Sequence, residues 1–116
     1  MKEKTEMLRY SAIIVDDEAI VREGLVKHFD WKKYSIEIKG CFADGTEAWE
    51  FLKNQEIDIL ITDVKMVRMD GIELTRRAVE KYPNINVLFI SGYGDIDYLK
   101  NAIKLGAVDY ILKSID

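Results

Sequence analysis

Ile57-Asp58-Ile59-Leu60-Ile61-Thr62-Asp63-Val64-Lys65-Met66 is an apolar run that stops on an acid. Its length and β-branched content read as a strand, Ile57 to Asp63, with a loop beginning where the charge falls. The pattern occurs twice more. Ile13 to Val15 runs into Asp16-Asp17-Glu18, and Tyr110 to Leu112 runs into Lys113. Ligands of open α/β sheets bind at the carboxyl ends of the strands. Acid, acid and base at three strand ends therefore suggest a metal-assisted phosphate site.

The segments between these runs supply the rest of the fold. Arg9 to Val15 makes the first strand, and Ala19 to Phe29 a helix with Ile20, Val21, Leu25 and Phe29 on its apolar side. Ile36 to Phe42 alternates as a strand, Asp44-Gly45 turns the chain, and Thr46 to Lys53 forms a helix packing Ala48, Phe51 and Leu52. After the central strand come a helix over Gly71 to Tyr82, stopped by Pro83, and a strand over Asn86 to Ser91. A fourth helix, Ile96 to Leu105, turns Leu99, Ala102 and Ile103 inward and ends at Gly106, and Val108 to Leu112 is the fifth strand. Alternating strands and helices with short links imply a doubly wound α/β domain, a five-stranded parallel sheet joined by right-handed crossovers.

At 116 residues the chain is sized for one domain, over residues 9–116, with residues 1–8 a loosely attached lead-in. Hydrophobic residues at 48% and charged residues at 33% exclude a disordered or collagen-like chain. No apolar run approaches a membrane span, and Met1 to Arg9 is too polar for a secretory segment, so a cytoplasmic location is the default expectation. The formal charge of -4 argues against direct nucleic-acid contact by this domain. The lone Cys41 has no disulfide partner and is expected as a buried strand residue.

The spacing of the candidate residues decides more than any one of them. Asp17 to Asp63 spans 46 residues, Asp63 to Ser91 28, and Ser91 to Lys113 22, each interval holding whole strand-helix units. All then point to one edge. If the sheet order is 2-1-3-4-5, the first and third strands are neighbours where the order reverses, and Asp16, Asp17 and Asp63 converge. Carboxylates about 4 Å apart repel by roughly 1 kcal/mol in water and about 4 at an effective dielectric of 20, so the cluster invites a cation. Oxygen-only ligands favour Mg²⁺, which is held by few carboxylates and keeps several waters. Asp63 is also a candidate nucleophile for phosphoryl transfer, with Lys113 and Ser91 placed to meet the transferred oxygens. Singly, an Asp after a strand commonly caps or turns, and a Lys commonly stays solvated. The shared edge is what carries weight.

These residues resemble the receiver domain of two-component response regulators over nearly the whole chain. The resemblance rests on Ile14-Val15-Asp16-Asp17-Glu18, on Asp63-Val64-Lys65-Met66 with Met69-Asp70-Gly71, on Ile90-Ser91-Gly92-Tyr93 and on Gly106-Ala107-Val108-Asp109-Tyr110-Ile111-Leu112-Lys113. It implies a flavodoxin-like fold with Asp63 as phosphoacceptor. Asp17, Asp63 and the backbone carbonyl of Lys65 would be the Mg²⁺ ligands, and Asp16 an acidic partner acting through water. Ser91 would be the switch hydroxyl, Tyr110 the switch aromatic and Lys113 the phosphate partner. The added charge of about -1.5 to -2 would then shift a conformational population. Val21-Arg22-Glu23-Gly24-Leu25, Asp30-Trp31 and Ser91-Gly92-Tyr93 further resemble receivers joined to AraC-type helix-turn-helix domains. The partners implied are a sensor histidine kinase, a C-terminal DNA-binding output domain, and a second copy through the fourth helix, where Tyr98 lies.

Three departures from that family stand out. Val67 replaces a usual proline, which frees φ and adds an N–H, so a looser loop is expected. Ser114 replaces a proline usually joined to the lysine by a cis bond; before serine that bond would cost about 2.5–4 kcal/mol, so trans is expected. The fifth helix that normally follows is missing from this chain, and a bare sheet face near Ile13, Ile111 and Ile115 is expected to favour self-association.

The remaining residues read as ordinary structure. His28 suits a helix C-terminus, and Trp31 and Trp49 suit packing. Lys65 and Tyr93, each two positions after a site residue, are expected to overhang the site, Tyr93 slowing loss of the phosphoryl group. Two other functions compete. A Mg²⁺-dependent aspartyl-phosphate phosphohydrolase commonly carries a second acid two residues after its nucleophile, where this chain has Lys65. A phosphorylation-independent interaction scaffold is kept open by Val67 and Ser114. Neither a P-loop nor a G-x-G-x-x-G turn occurs.

Overall fold

In the computed structural model the chain is described over residues 8–91, with the backbone of 109–112. The elements are β1 Tyr10–Val15, α1 Ala19–His28, a 3₁₀ turn Trp31–Tyr34, β2 Ile36–Phe42, α2 Gly45–Leu52, β3 Ile59–Asp63, α3 Gly71–Lys81, β4 Asn86–Ser91 and β5 Asp109–Leu112. All strand pairs are parallel and the sheet order is β2-β1-β3-β4-β5, the expected 2-1-3-4-5 order. The expected helix over 96–105 with Tyr98, together with the lead-in up to Met7, Tyr93, Lys113, Ser114 and Ile115, lies outside the described residues. No helix among the described residues is long and apolar enough to cross a membrane.

Strand alternation divides the core between the two sheet faces. Ile13, Val15, Leu60, Val87 and Phe89 face α2 and α3, where they bury Ala48, Leu52, Leu74 and Ala78 in the larger cluster. Ile14, Ile61 and Ile90 face the other way and pack with Leu25, Trp31 and Ile38. Ile13 is therefore no part of a bare face: it is wholly buried on the side covered by α2 and α3.

Three further expectations change. Ile20 is 79% exposed and no residue of α1 is buried. At 3.6 residues per turn Ile20 lies about 140° around the helix from Leu25, off the stripe that meets the sheet. Phe29 caps α1 and is half exposed, in ring contact with Trp31 and Tyr34. Cys41 is exposed rather than buried, because β2 is the edge strand and its residues alternate between half-buried and exposed. The 3₁₀ turn was not anticipated. It closes on Ser35, a non-glycine residue at φ 61°, whose carbonyl accepts from the N–H groups of Arg9 and Tyr10 and so leads into the first strand.

Caps and close approaches seat the helices that face the site. Asp44 Oδ1 accepts from Glu47 N–H at 2.9 Å, and Glu47 Oε1 accepts from Ala43 N–H at 3.2 Å, starting α2. Asp70 Oδ1 accepts from Glu73 N–H at 2.9 Å, starting α3. Gly71 must be glycine for steric reasons, since a Cβ there would run into the carbonyl oxygen of Asp63. The far end of α3 is tied back to α2 by Tyr82 Oη, which donates to the Leu52 carbonyl at 2.6 Å.

Candidate functional site

The reversal point of the sheet order lies between β1 and β3, and the candidate acids gather there. Register sets Val15 opposite Thr62, so Asp16 and Asp63 follow as neighbours at the ends of adjacent strands. Both side chains are taken out of water, Asp16 completely and Asp63 to 4% exposure. Asp17 and Glu18, on the loop into α1, are exposed.

Asp16, Asp17 and Glu18 each present a carboxylate oxygen within 4.8 Å of the other two. Asp63 is outside that trio; strand register, not membership in the trio, brings it to the same edge. Glu18 is thus a third acid at the site for which sequence reading had no role, although it closes the quoted Asp16-Asp17-Glu18 segment. The loop is shaped by its own backbone contacts. Asp16 Oδ1 accepts from Glu18 N–H at 2.8 Å, and Arg22, one turn into α1, donates to the Asp16 carbonyl at 2.6 Å. Arg22 also went unnoticed as a site residue, since an arginine on a helix carries no signal of its partner.

Asp63 is fixed just as closely. Its Oδ1 accepts from Val64 N–H at 2.8 Å, while its carbonyl accepts from Thr62 Oγ1 at 2.9 Å. Gly71 N–H then donates to the Val64 carbonyl at 2.7 Å, so the first residue of α3 sits directly over the acid. Lys65 follows on an exposed stretch of the β3–α3 loop. Val67 is 75% exposed, and the loop is tied down beyond it. Arg68 donates to Asp44 Oδ2 from Nε at 3.0 Å and from a terminal nitrogen at 2.6 Å, and Gly45 N–H donates to the Met69 carbonyl at 3.1 Å.

Two carboxylates at the helix starts beside this loop are both held ionised by arginines. Burial works against ionisation of Asp44, but hydrogen bonds from the Glu47 N–H and the Arg68 guanidinium outweigh it and hold the carboxyl below its ordinary range. Glu73, at the start of α3, is pulled down to about 2 by hydrogen bonds from Arg76 and Arg77.

β4 and β5 bring the remaining candidates by backbone. Asp63 pairs with Ile90, which sets Ser91 one residue further at the end of β4, opposite Leu112. Tyr110 pairs with Phe89. The side chains of Ser91 and Tyr110 lie outside the described residues, as does Lys113.

A doubly wound parallel sheet with a buried aspartate at the end of β3 and a group of acids at the end of β1 defines a class of α/β domains with an acidic site at the reversal point of the sheet. Comparison with known proteins narrows it: residues 12–116 match the response regulator receiver domain, and the chain belongs to that family. It is 35% identical over 104 residues to the uncharacterized transcriptional regulatory protein YesN of Bacillus subtilis (strain 168), covering 90% of this chain and 28% of that protein. Among solved structures, the REC domain of AraT, a response regulator from Geobacillus stearothermophilus, is similar at a TM-score of 0.86 and 39% identity, covering 92% of this chain and 83% of that one. A two component transcriptional regulator AraC from Clostridium phytofermentans ISDg is similar at 0.84 and 42% identity, covering 93% and 84%. The chain is a receiver domain of the two-component response regulators, and it spans about a quarter of the length of YesN.

Proposed function

We propose that Asp63 accepts a phosphoryl group from the phosphohistidine of a sensor kinase and that the resulting acyl phosphate switches the domain. The observation that carries this is a buried carboxylate, oriented by Val64 N–H, at the strand end beside the Asp16-Asp17-Glu18 group. One Asp63 oxygen attacks phosphorus as the P–N bond of the donor breaks, and the electron pair of that bond returns to the imidazole. Water is kept from the acid on the strand side by burial, and the carboxylate plane is held by the Val64 contact.

The donor set suits a hard divalent cation, since several carboxylate oxygens meet at one edge among the described residues with no thiol or imidazole beside them. Asp17, Asp63 and the Lys65 carbonyl would hold Mg²⁺, with Asp16 acting through water. Bound there, Mg²⁺ supplies positive charge to the transferring phosphoryl oxygens. Ser91, Tyr110 and Lys113 read the new charge, Ser91 and Lys113 as partners of the phosphoryl oxygens and Tyr110 as the aromatic that follows. The domain acts as a signalling phosphoacceptor in the cytoplasm rather than as an enzyme on outside substrates. In a longer protein it controls a C-terminal DNA-binding domain, with a second copy of the chain as a further partner.

Incubation with acetyl phosphate and Mg²⁺, followed by intact mass, tests the reading. One phosphoryl adduct is expected on the wild type, none on Asp63→Asn and none with chelator. An unlabelled wild type overturns the reading in favour of a scaffold, and rapid turnover of added phosphoesters overturns it in favour of a hydrolase.

A further inference from the structure

The β3–α3 loop must cross from Asp63 to Gly71 without regular structure. Val67 is in water, Val64 is wholly buried in the larger core, and Met66 and Met69 reach the same core, each partly buried. Beyond Met66 the ties to the neighbouring helix are polar. Arg68 spans to Asp44, across 24 positions of sequence, with two hydrogen bonds to one oxygen, and its terminal nitrogen is 3.9 Å from Glu47 Oε2. Gly45 N–H closes on the Met69 carbonyl next door, and a Cβ at Gly45 would collide with that oxygen. Asp44 is itself immobilised, since its other oxygen caps α2. The arginine is therefore anchored to a helix end rather than to another mobile side chain.

Resting on the receiver reading above, we propose that Arg68 is a positioning residue: through Asp44 it fixes the β3–α3 loop against the α2 N-terminus and so sets the Lys65 carbonyl for Mg²⁺. Lys65 lies between two fixed points. On one side Val64 is held by Gly71 N–H and by Asp63, and on the other Arg68 is held by Asp44. Freeing the second point loosens the backbone that aims the carbonyl while leaving Asp63 and its own contacts in place. The loss should then fall on cation affinity, not on the chemistry of the loaded site. A proline at 67 would restrain the same backbone through φ; here the restraint comes from a side chain one residue later.

The test compares the wild type with Arg68→Met, Arg68→Lys and the double variant Arg68→Met/Asp44→Asn. Mg²⁺ binding is read by calorimetry, and the Mg²⁺ dependence of acetyl phosphate labelling is read alongside. Arg68→Met should weaken Mg²⁺ about tenfold, the lower end of what supporting contacts of metal sites are worth, with a labelling rate at saturating Mg²⁺ within about twofold of the wild type. Arg68→Lys, which keeps the charge but loses the fork, should fall between them. The double variant should be no worse than Arg68→Met. Unchanged Mg²⁺ affinity in Arg68→Met, or a fall in the saturated rate without one in affinity, overturns the proposal. Should Arg68→Met fail to fold, Arg68→Lys decides by the same criterion, wild-type affinity overturning it. Failure of the receiver reading would look different, because the wild type itself would then take no phosphate.

Discussion

The two loops that meet at Asp63 are built on opposite plans. The β1–α1 loop is short and carries charge outward, with Asp17 and Glu18 exposed and α1 beginning at Glu18 without a side-chain cap. The β3–α3 loop is longer, contributes one buried acid, and is held by an Asp cap on each helix it touches, by the Arg68 clamp and by Gly71 pressed on the Asp63 carbonyl. One loop supplies the negative potential that draws a cation; the other supplies the fixed geometry a phosphoryl acceptor needs. Polar residues that would ordinarily cap a helix are spent on the site in the first loop and on the scaffold in the second.

Substitutions that cost one loop its stability and the other its affinity would sharpen this contrast. The largest effect is expected from Gly71→Ala, where the added methyl meets backbone rather than a flexible side chain tip. The cost should lie near the top of the overpacking range, about 3 kcal/mol in urea unfolding, with Mg²⁺ binding lowered in the part that stays folded. A change under about 0.5 kcal/mol would mean that the α3 seat is not rigid. Asp16→Asn is next and acts in the other currency. Mg²⁺ affinity measured by calorimetry should fall about 10–100-fold, as for outer partners of metal ligands. An affinity within twofold of the wild type would remove Asp16 from the cation's surroundings.

The same contrast explains what could be read from the chain. Strand runs separated by whole helical units fix a parallel sheet, and charges at the ends of those runs locate its working edge; both are one-dimensional patterns. The first loop was legible because its acids are adjacent in sequence. The second was only half legible. Asp44-Gly45 reads as a turn, yet Asp44 with Glu47 three residues on is also the signature of a capping box; the structure forms its Asp44 half, while Glu47 reaches one residue further back, to Ala43 N–H. Arg68 gave no signal at all, because its partner is 24 positions away on another loop and no periodicity links them. Ile20 and Cys41 failed for a different reason. Apolar character placed them inside, while the angle around α1 and the edge position of β2 placed them outside. The turn closing on Ser35 escaped because a serine rarely adopts positive φ.

The smallest expected effect is electrostatic, and it separates the clamp from ordinary surface pairing. Asp44 is held below its usual range in the folded chain, so it contributes stability that is complete above the unfolded value of about 3.9 and is lost as pH falls through the lower folded one. The groups facing it are the Glu47 and Thr46 N–H groups, the Arg68 guanidinium and, at 3.9 Å from that guanidinium, the Glu47 carboxylate. Arg68→Met removes the donors that lower Asp44 while its cap to α2 remains. The stability gap between wild type and variant should therefore be full near pH 6 and narrow steadily below pH about 4. Glu73, lowered to about 2 by Arg76 and Arg77, loses its contribution over the same acid range in both proteins and cancels from the difference. Urea unfolding of the pair at descending pH reads the gap directly. A gap independent of pH would show that Arg68 holds the loop by packing of its stem rather than by charge, and the two loops would then differ in shape but not in electrostatics.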